Sequence, residues 1–314
     1  MTARIVMKLK VKAARLATPS VLHLTLVHPT RPALPAWEPG AHVDLRLPDG
    51  KIRQYSLCGD PQDLGSYEIA IKREDAGRGA SLWAHQALVE GATAHVSAPR
   101  NNFPIREATR HVFVLGGIGV TPGLAMVRTL RAEGADVAVH FCARSAAEAP
   151  LLAELSAACG DQLSTWFSNE GRRFDPGALG PYAAGAVLYV CGPGRLLQAV
   201  RDAASALGWP EESVHAEAFQ ATLDENFKPE PFEAKLASTG ATLHVPADRS
   251  LLDVLREHGV TMPSSCELGV CGSCVCGYTE GVVIHRDAAI STADRQDRIA
   301  PCVSRARVSV TLDL

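Results

Sequence analysis

The chain has 314 residues, 46% hydrophobic and 21% charged, the balance of a water-soluble globular protein with two or three domains. A net charge of −3 without a basic run excludes the phosphate-neutralising stripe of a nucleic-acid binder, and no stretch reaches the ~18 consecutive apolar residues of a membrane span. Met1 to Val6 lacks a signal-peptide core and nine cysteines, an odd number, do not form a secreted disulfide framework, so a cytoplasmic protein without membrane or nucleic-acid partners is expected.

From Lys8 to about Pro104 the apolar residues alternate: Leu22, Leu24, Leu26; Val43, Leu45, Leu47; Tyr67, Ile69, Ile71. Period two, broken by turns such as Pro48-Asp49-Gly50, predicts the antiparallel strands of a small barrel. Within it lie Arg53, Tyr55 and Ser56, and then Lys72 and the turn Gly77, Gly79, Ser81 leading into a short apolar helix near Leu82. A glycine turn feeding a helix N-terminus offers free N–H groups and a hydroxyl to one phosphate, although taken alone the motif is more often an ordinary turn.

From His111 the pattern changes to apolar runs at Val112–Leu115, Val137–Cys142, Leu163–Phe167, Val187–Cys191 and Val214–Phe219, most of them separated by helix patterns. This order predicts a doubly wound parallel sheet that binds ligands beyond the carboxyl ends of its strands. The first run leads into Gly116, Gly117, Gly119, Thr121 and Pro122, with Thr121 expected to cap the following helix and Pro122 to sit in its first turn. The glycines suit close approach of a pyrophosphate, yet Pro122 stands where a dinucleotide fingerprint has its third glycine. Arg144 and Ser145 follow the second run and would suit the 2′-phosphate of NADP, where an acid would favour NAD. Cys191-Gly192-Pro193 ends the fourth run, and Glu217 and Phe219 end the last.

A mixed-charge segment from Gln220 to about Pro231 reads as a linker. A hairpin follows, Phe232–Leu236 and Leu243–Val245, then a helix capped by Ser250 with Leu251, Leu252, Val254 and Leu255 inward, a strand from Gly277 to Ile284, a polar helix near Asp294–Arg298 and a closing strand Val308–Leu312. Between them stand Cys266, Cys271 and Cys274, answered by Cys302. This C-x4-C-x2-C…C spacing is that of a plant-type [2Fe–2S] cluster, a one-electron carrier; a structural zinc site is the alternative, though such sites are read from two C-x2-C pairs. Cys276 reads as a packing thiol.

A barrel, a nucleotide sheet and a plant-type cluster in that order resemble the phthalate dioxygenase reductase family, which includes vanillate O-demethylase reductases, over essentially the whole chain. The resemblance implies residues 1–104 as a flavin-binding barrel, 105–226 as an α/β nucleotide domain and 227–314 as an α+β β-grasp ferredoxin domain. It implies that Tyr55 packs on the isoalloxazine, Ser56 approaches its N5 and Arg53 meets the flavin phosphate. Lys72 and Gly77 to Ser81 would form a second phosphate turn, and Gly116 to Pro122 with Cys191 to Pro193 would receive the nicotinamide nucleotide. Glu217 and Phe219 would cover the flavin, with Tyr55, Ser56, Cys191 and Glu217 nearest the chemistry. FMN is implied with FAD as the alternative, and NADH with NADPH as the alternative. The expected protein is a monomer that passes electrons from NADH through FMN and the cluster to a Rieske-type oxygenase. A reductase for another acceptor, or a non-enzymatic redox sensor, are the competing readings.

Overall fold

A computed structural model describes residues 6–75, 77, 79–219 and 227–314. Residues 220–226, where most of the expected linker falls, lie outside the described residues, as does Arg78 in the predicted phosphate turn. The chain divides into two compact units, Met1–Glu217 and Ala218–Leu314.

The first unit opens with strands β1 (Val6–Thr18), β2 (Val21–Val27), β3 (Ala41–Arg46), β4 (Ile52–Ser56) and β5 (Tyr67–Lys72), helix α1 (Ala80–Ala87), and strands β6 (Thr93–Ser97) and β7 (Arg100–Asn101). They pair antiparallel in the order β4-β3-β6-β1-β2-β5, with β7 beside β3. A bridge between Leu57 and Ile69, with Cys58 N–H donating to the Glu68 carbonyl at 2.9 Å, joins the two ends into the expected barrel. The alternating residues read from the sequence, Leu24, Leu26, Val43, Leu45, Ile69 and Ile71, are its core.

The second half of this unit is a parallel sheet. Strands β8 (Arg110–Gly116), β9 (Val137–Ala143), β10 (Leu163–Phe167), β11 (Ala186–Cys191) and β12 (Val214–Glu217) lie in the order β10-β9-β8-β11-β12. Helices α2 (Val120–Ala132), α3 (Leu152–Cys159) and α4 (Gly194–Ala206) connect and cover them. Strand order reverses between β8 and β11, which makes the ends of those two strands the switch point of the doubly wound sheet. The barrel and sheet share packing: Ala125 of α2 belongs to the barrel core, and Arg128 of α2 donates to the Cys58 carbonyl at 2.9 Å.

The second unit holds β13 (Phe232–Leu236), β14 (Thr242–Val245), α5 (Leu251–Glu257), β15 (Cys276–Ile284), β16 (Arg298–Ile299) and β17 (Arg305–Leu312). Their order, β14-β13-β17-β15-β16 with β13 and β17 parallel, is that of a β-grasp. Ser250 caps α5 as expected: its Oγ accepts from the Asp253 N–H at 3.1 Å and donates to Asp253 Oδ2 at 2.7 Å. The four apolar residues of α5 serve two cores. Leu251, Val254 and Leu255 pack on the sheet, while Leu252 packs with Cys274, Ile290, Ala300 and Cys302. Cys276 is buried in the sheet core, the packing role expected of it.

Three local readings are corrected. Thr121 is inside α2 and does not cap it; its hydroxyl donates to the Ile118 carbonyl at 2.9 Å, because a 3-10 turn, Gly117–Gly119, starts the helix earlier. The strand read to Phe219 stops at Glu217. The polar helix shrinks to a 3-10 turn, Asp294–Gln296, because Arg298 and Ile299 pair with β15.

Candidate functional site

Two glycine-bearing loops meet at the switch point. A Cβ on Gly119 would stand 2.2 Å from the Cys191 carbonyl oxygen and 2.8 Å from Gly192 N, and one on Gly116 would stand 2.9 Å from Pro193 Cδ. Backbone therefore lies directly on backbone, and the two motifs separated by some seventy residues form one rim. Gly117, at φ +54°, has no atom within 4 Å of where a Cβ would be, which leaves the first turn before α2 open to a ligand. The glycine missing from the fingerprint is present one position later. A Cβ on Gly123 would come 2.6 Å from Leu115 Cδ2, so Gly123 provides the close helix–strand packing that the third glycine normally allows.

Cys191 and Glu217 are direct neighbours across β11 and β12. Both are shielded: burial, with the Glu217 charge added, pushes the Cys191 thiol well up, so it stays protonated. Burial also raises the Glu217 carboxyl to about 8, and its Oε2 has no hydrogen-bond partner among the described residues. Ionised in the unfolded chain above about 4.5 but protonated in the fold up to about 8, Glu217 makes stability decline as pH rises through that window. Glu217→Gln should flatten the decline, and urea midpoints measured from pH 5 to 8.5 check it; parallel curves for both proteins would contradict the assignment. Phe219 follows in a half-buried bend.

In the barrel, the pairing of β3 with β4 sets Arg53 and Tyr55 opposite Leu45 and Val43, and Ser56 opposite His42. Pleating thus puts Arg53 and Tyr55 on one face of β4 and Ser56 on the other. Arg53 is buried and donates to the Ile52 carbonyl at 2.7 Å; Tyr55 packs against the barrel core, where burial raises its phenol to about 12. Gly79, at φ +85°, precedes α1 with open space where a side chain would be. Ser81 Oγ accepts from the Glu74 N–H at 3.0 Å, leaving its proton to donate, and Lys72 is paired with Glu74 at 2.6 Å. Gly77 is exposed. These cradles, free of side chains at Gly79 and Gly117 and with a half-buried aromatic ring at Tyr55, fit a flavin phosphate and a dinucleotide.

Arg144 and Ser145 follow β9, as expected, but Arg144 is ion-paired with Glu148 four residues on. The sequence reading sought an acid at the strand end and missed this one, which stands in the following 3-10 turn.

Of the five cysteines of the second unit, the four other than Cys276 fall into two pairs. Cys266 is set against Cys271 and Cys302 against Cys274, and in each pair the interaction lowers one thiol, Cys271 or Cys274, and raises its partner. Backbone N–H groups of Leu268 and Val270 face Cys266, and that of Gly269 faces Cys302. Left-handed Gly269 (φ +76°) and Gly272 (φ +67°) turn the loop so that these amides point inward. Each iron of a [2Fe–2S] cluster takes two thiolates. Cys266 with Cys271, and Cys274 with Cys302, would each hold one. Among the described residues no three or more His, Cys, Asp or Glu side chains are gathered round one point as a mononuclear site requires.

Residues 234–307 match the 2Fe-2S iron-sulfur cluster binding domain family. The solved structure of phthalate dioxygenase reductase, described as a modular structure for electron transfer from pyridine nucleotides to [2Fe–2S], superposes with a TM-score of 0.81 at 34% identity, covering 98% of both chains. The chain belongs to the phthalate dioxygenase reductase family. Among curated relatives, the vanillate O-demethylase oxidoreductase of Pseudomonas sp. (strain HR199 / DSM 7063) is 37% identical over 97% of this chain and 98% of its own. The tert-butanol monooxygenase / tert-amyl alcohol desaturase reductase subunit of Aquincola tertiaricarbonis is 41% identical over 88% and 86%. As in the phthalate dioxygenase reductase structure, this chain carries the two halves of an electron relay in one polypeptide, and no helix among its described residues is long and apolar enough to cross a membrane.

Proposed function

We propose that this member of the phthalate dioxygenase reductase family oxidises NADH at an FMN held by the barrel and delivers the electrons, one at a time, through a [2Fe–2S] cluster to a Rieske-type oxygenase acting on an aromatic acid or ether. The observation that carries this reading is the presence in one chain of a dinucleotide rim at the β8/β11 switch point and a loop whose cysteines form two pairs. When bound, the flavin would supply the conversion of a two-electron hydride into single electrons and the cluster their onward carriage.

The chain's own residues bind, orient and exclude water. Gly117 leaves room for a pyrophosphate at the N-terminus of α2, whose dipole favours the negative charge, while Gly116 and Gly119 let the loop after β11 close against this turn. Cys191 and Glu217 sit at the ends of neighbouring strands on the same side of the sheet, one a neutral thiol and the other a carboxyl that keeps its proton at neutral pH and can donate it in a hydrogen bond. Tyr55 offers an un-ionised aromatic face at the edge of the barrel core. The turn before α1, with the Gly79 amide end and the Ser81 hydroxyl, supports a flavin phosphate there.

The Arg144–Glu148 pair supports NADH. Glu148 neutralises the arginine that a 2′-phosphate would need and adds a like charge against that phosphate. In Glu148→Gln the preference, as the ratio of kcat/KM for NADH to that for NADPH, should fall by about tenfold, equivalent to ~1.4 kcal/mol. Steady-state ferricyanide reduction with each nucleotide measures it, and an unchanged ratio would place the nucleotide discriminator elsewhere.

The reading as a whole is tested by anaerobic titration. NADH should bleach first the flavin and then the cluster absorbance, and a purified oxygenase should then be reduced; protein without iron, sulfide or flavin after reconstitution would end it. The monooxygenase reductase relative supports a second acceptor class, distinguished by which purified oxygenase draws electrons.

A further inference from the structure

Turns with positive φ in the cysteine loop fall on Gly269 and Gly272, with one exception: Glu267, directly after Cys266, has φ +54°. A side-chain-bearing residue adopts this conformation at a cost, so it needs something to hold it there. Its carboxylate is also nearly sealed from solvent, with a side chain 6% exposed. A buried acid next to four thiolates is electrostatically adverse, because an iron–sulfur cluster on Cys ligands is anionic and becomes more so on reduction.

Arg256 bears on both problems. Arg256, in the last turn of α5, donates from Nη2 to Glu267 Oε1 at 2.7 Å and to the Ser264 hydroxyl. Its Nη1 lies 3.7 Å from Asp253, the residue that completes the Ser250 cap, so the guanidinium ties the helix to the start of the loop. The turn it secures matters to the ligand: Leu268, next after Glu267, donates its N–H to Cys266 Sγ at 3.3 Å. Amide bonds to sulfur and nearby charge are two of the means by which a protein sets a cluster's potential.

We propose that Arg256 is a positioning residue for electron transfer: through Glu267 it holds the left-handed turn that aims Leu268 N–H at Cys266, and it cancels the carboxylate that would otherwise oppose reduction of the cluster. Glu267 and Arg256 then act with opposite signs on the potential. The inference rests on the cluster assigned above, and its test separates the two.

The experiment is an anaerobic redox titration of reconstituted full-length protein, followed by electron paramagnetic resonance, with iron content measured alongside. Arg256→Gln should lower the midpoint and Glu267→Gln should raise it. Each should change the reduced-to-oxidised ratio at fixed potential about tenfold, which for one electron is about 59 mV. The double variant should lie between the two. Singles that shift the same way, or that both stay within twofold of native, would overturn the proposal. Should Arg256→Gln fail to retain iron, the double variant decides, since removing the acidic charge as well should restore retention and continued loss would refute the charge-cancelling role. Absence of a reduced-cluster signal in the native protein would defeat the cluster assignment itself, whereas a normal signal with unmoved midpoints defeats this inference alone.

Discussion

Cys271→Ser should abolish cytochrome c reduction while leaving bleaching of the flavin by NADH intact. Cys271 is one of the four ligand positions, and the side chain and amide of Ser273 favour its thiolate. A serine keeps the shape of the loop but is a poor soft-metal ligand. Outer-shell changes at metal sites typically cost 10–100-fold. Loss of a ligand should exceed that, lowering cytochrome c turnover by more than about 100-fold. Stopped-flow absorbance separates the two steps. Cytochrome c turnover near the native rate would take the cluster out of the route.

Gly119→Ala should have the second largest effect. Its φ is −62°, so alanine meets no torsional obstacle there. The obstacle is steric, a methyl group 2.2 Å from the Cys191 carbonyl oxygen and 2.5 Å from its carbon, both main-chain atoms that no rotamer change can move. The β8 and β11 loops would have to part, which overpacking data put at about 1–3 kcal/mol or more. Because those loops form the rim, KM for NADH should rise at least ~10-fold beside the loss of stability. Gly117→Ala is the informative control: with open space but φ +54°, it should cost about 1–2 kcal/mol without parting the loops. Thermal unfolding and NADH kinetics on both variants distinguish the cases, and equal effects would contradict the steric account.

The sequence made visible what short-range pattern encodes. Alternation at Leu22 to Leu26 and at Val43 and Leu45 named the barrel core, and cysteine spacing named the loop whose thiols fall in two pairs. What it hid were partners chosen by tertiary packing. Glu148 is a surface acid until the turn after β9 brings it to Arg144, and Glu267 is an ordinary loop residue until α5 places Arg256 against it. Gly123 escaped notice because the fingerprint counts positions, whereas the fold asks only that a helix approach Leu115 closely. Thr121 misled because a capping residue type says nothing of a 3-10 turn that begins the helix two residues earlier. Buried Arg305, which donates to the carbonyls of Arg249, Glu230 and Pro246, had no sequence signal at all.

Helix α2 belongs to the nucleotide sheet by sequence yet contributes Ala125 to the barrel core and a guanidinium to the Cys58 carbonyl. A graft of a relative's nucleotide module spliced after residue 104 would therefore have to carry a matching α2 surface, or leave the barrel with an ill-fitting plug. Recombination between reductases of differing acceptor should thus have kept the barrel and the nucleotide sheet together as one inherited block.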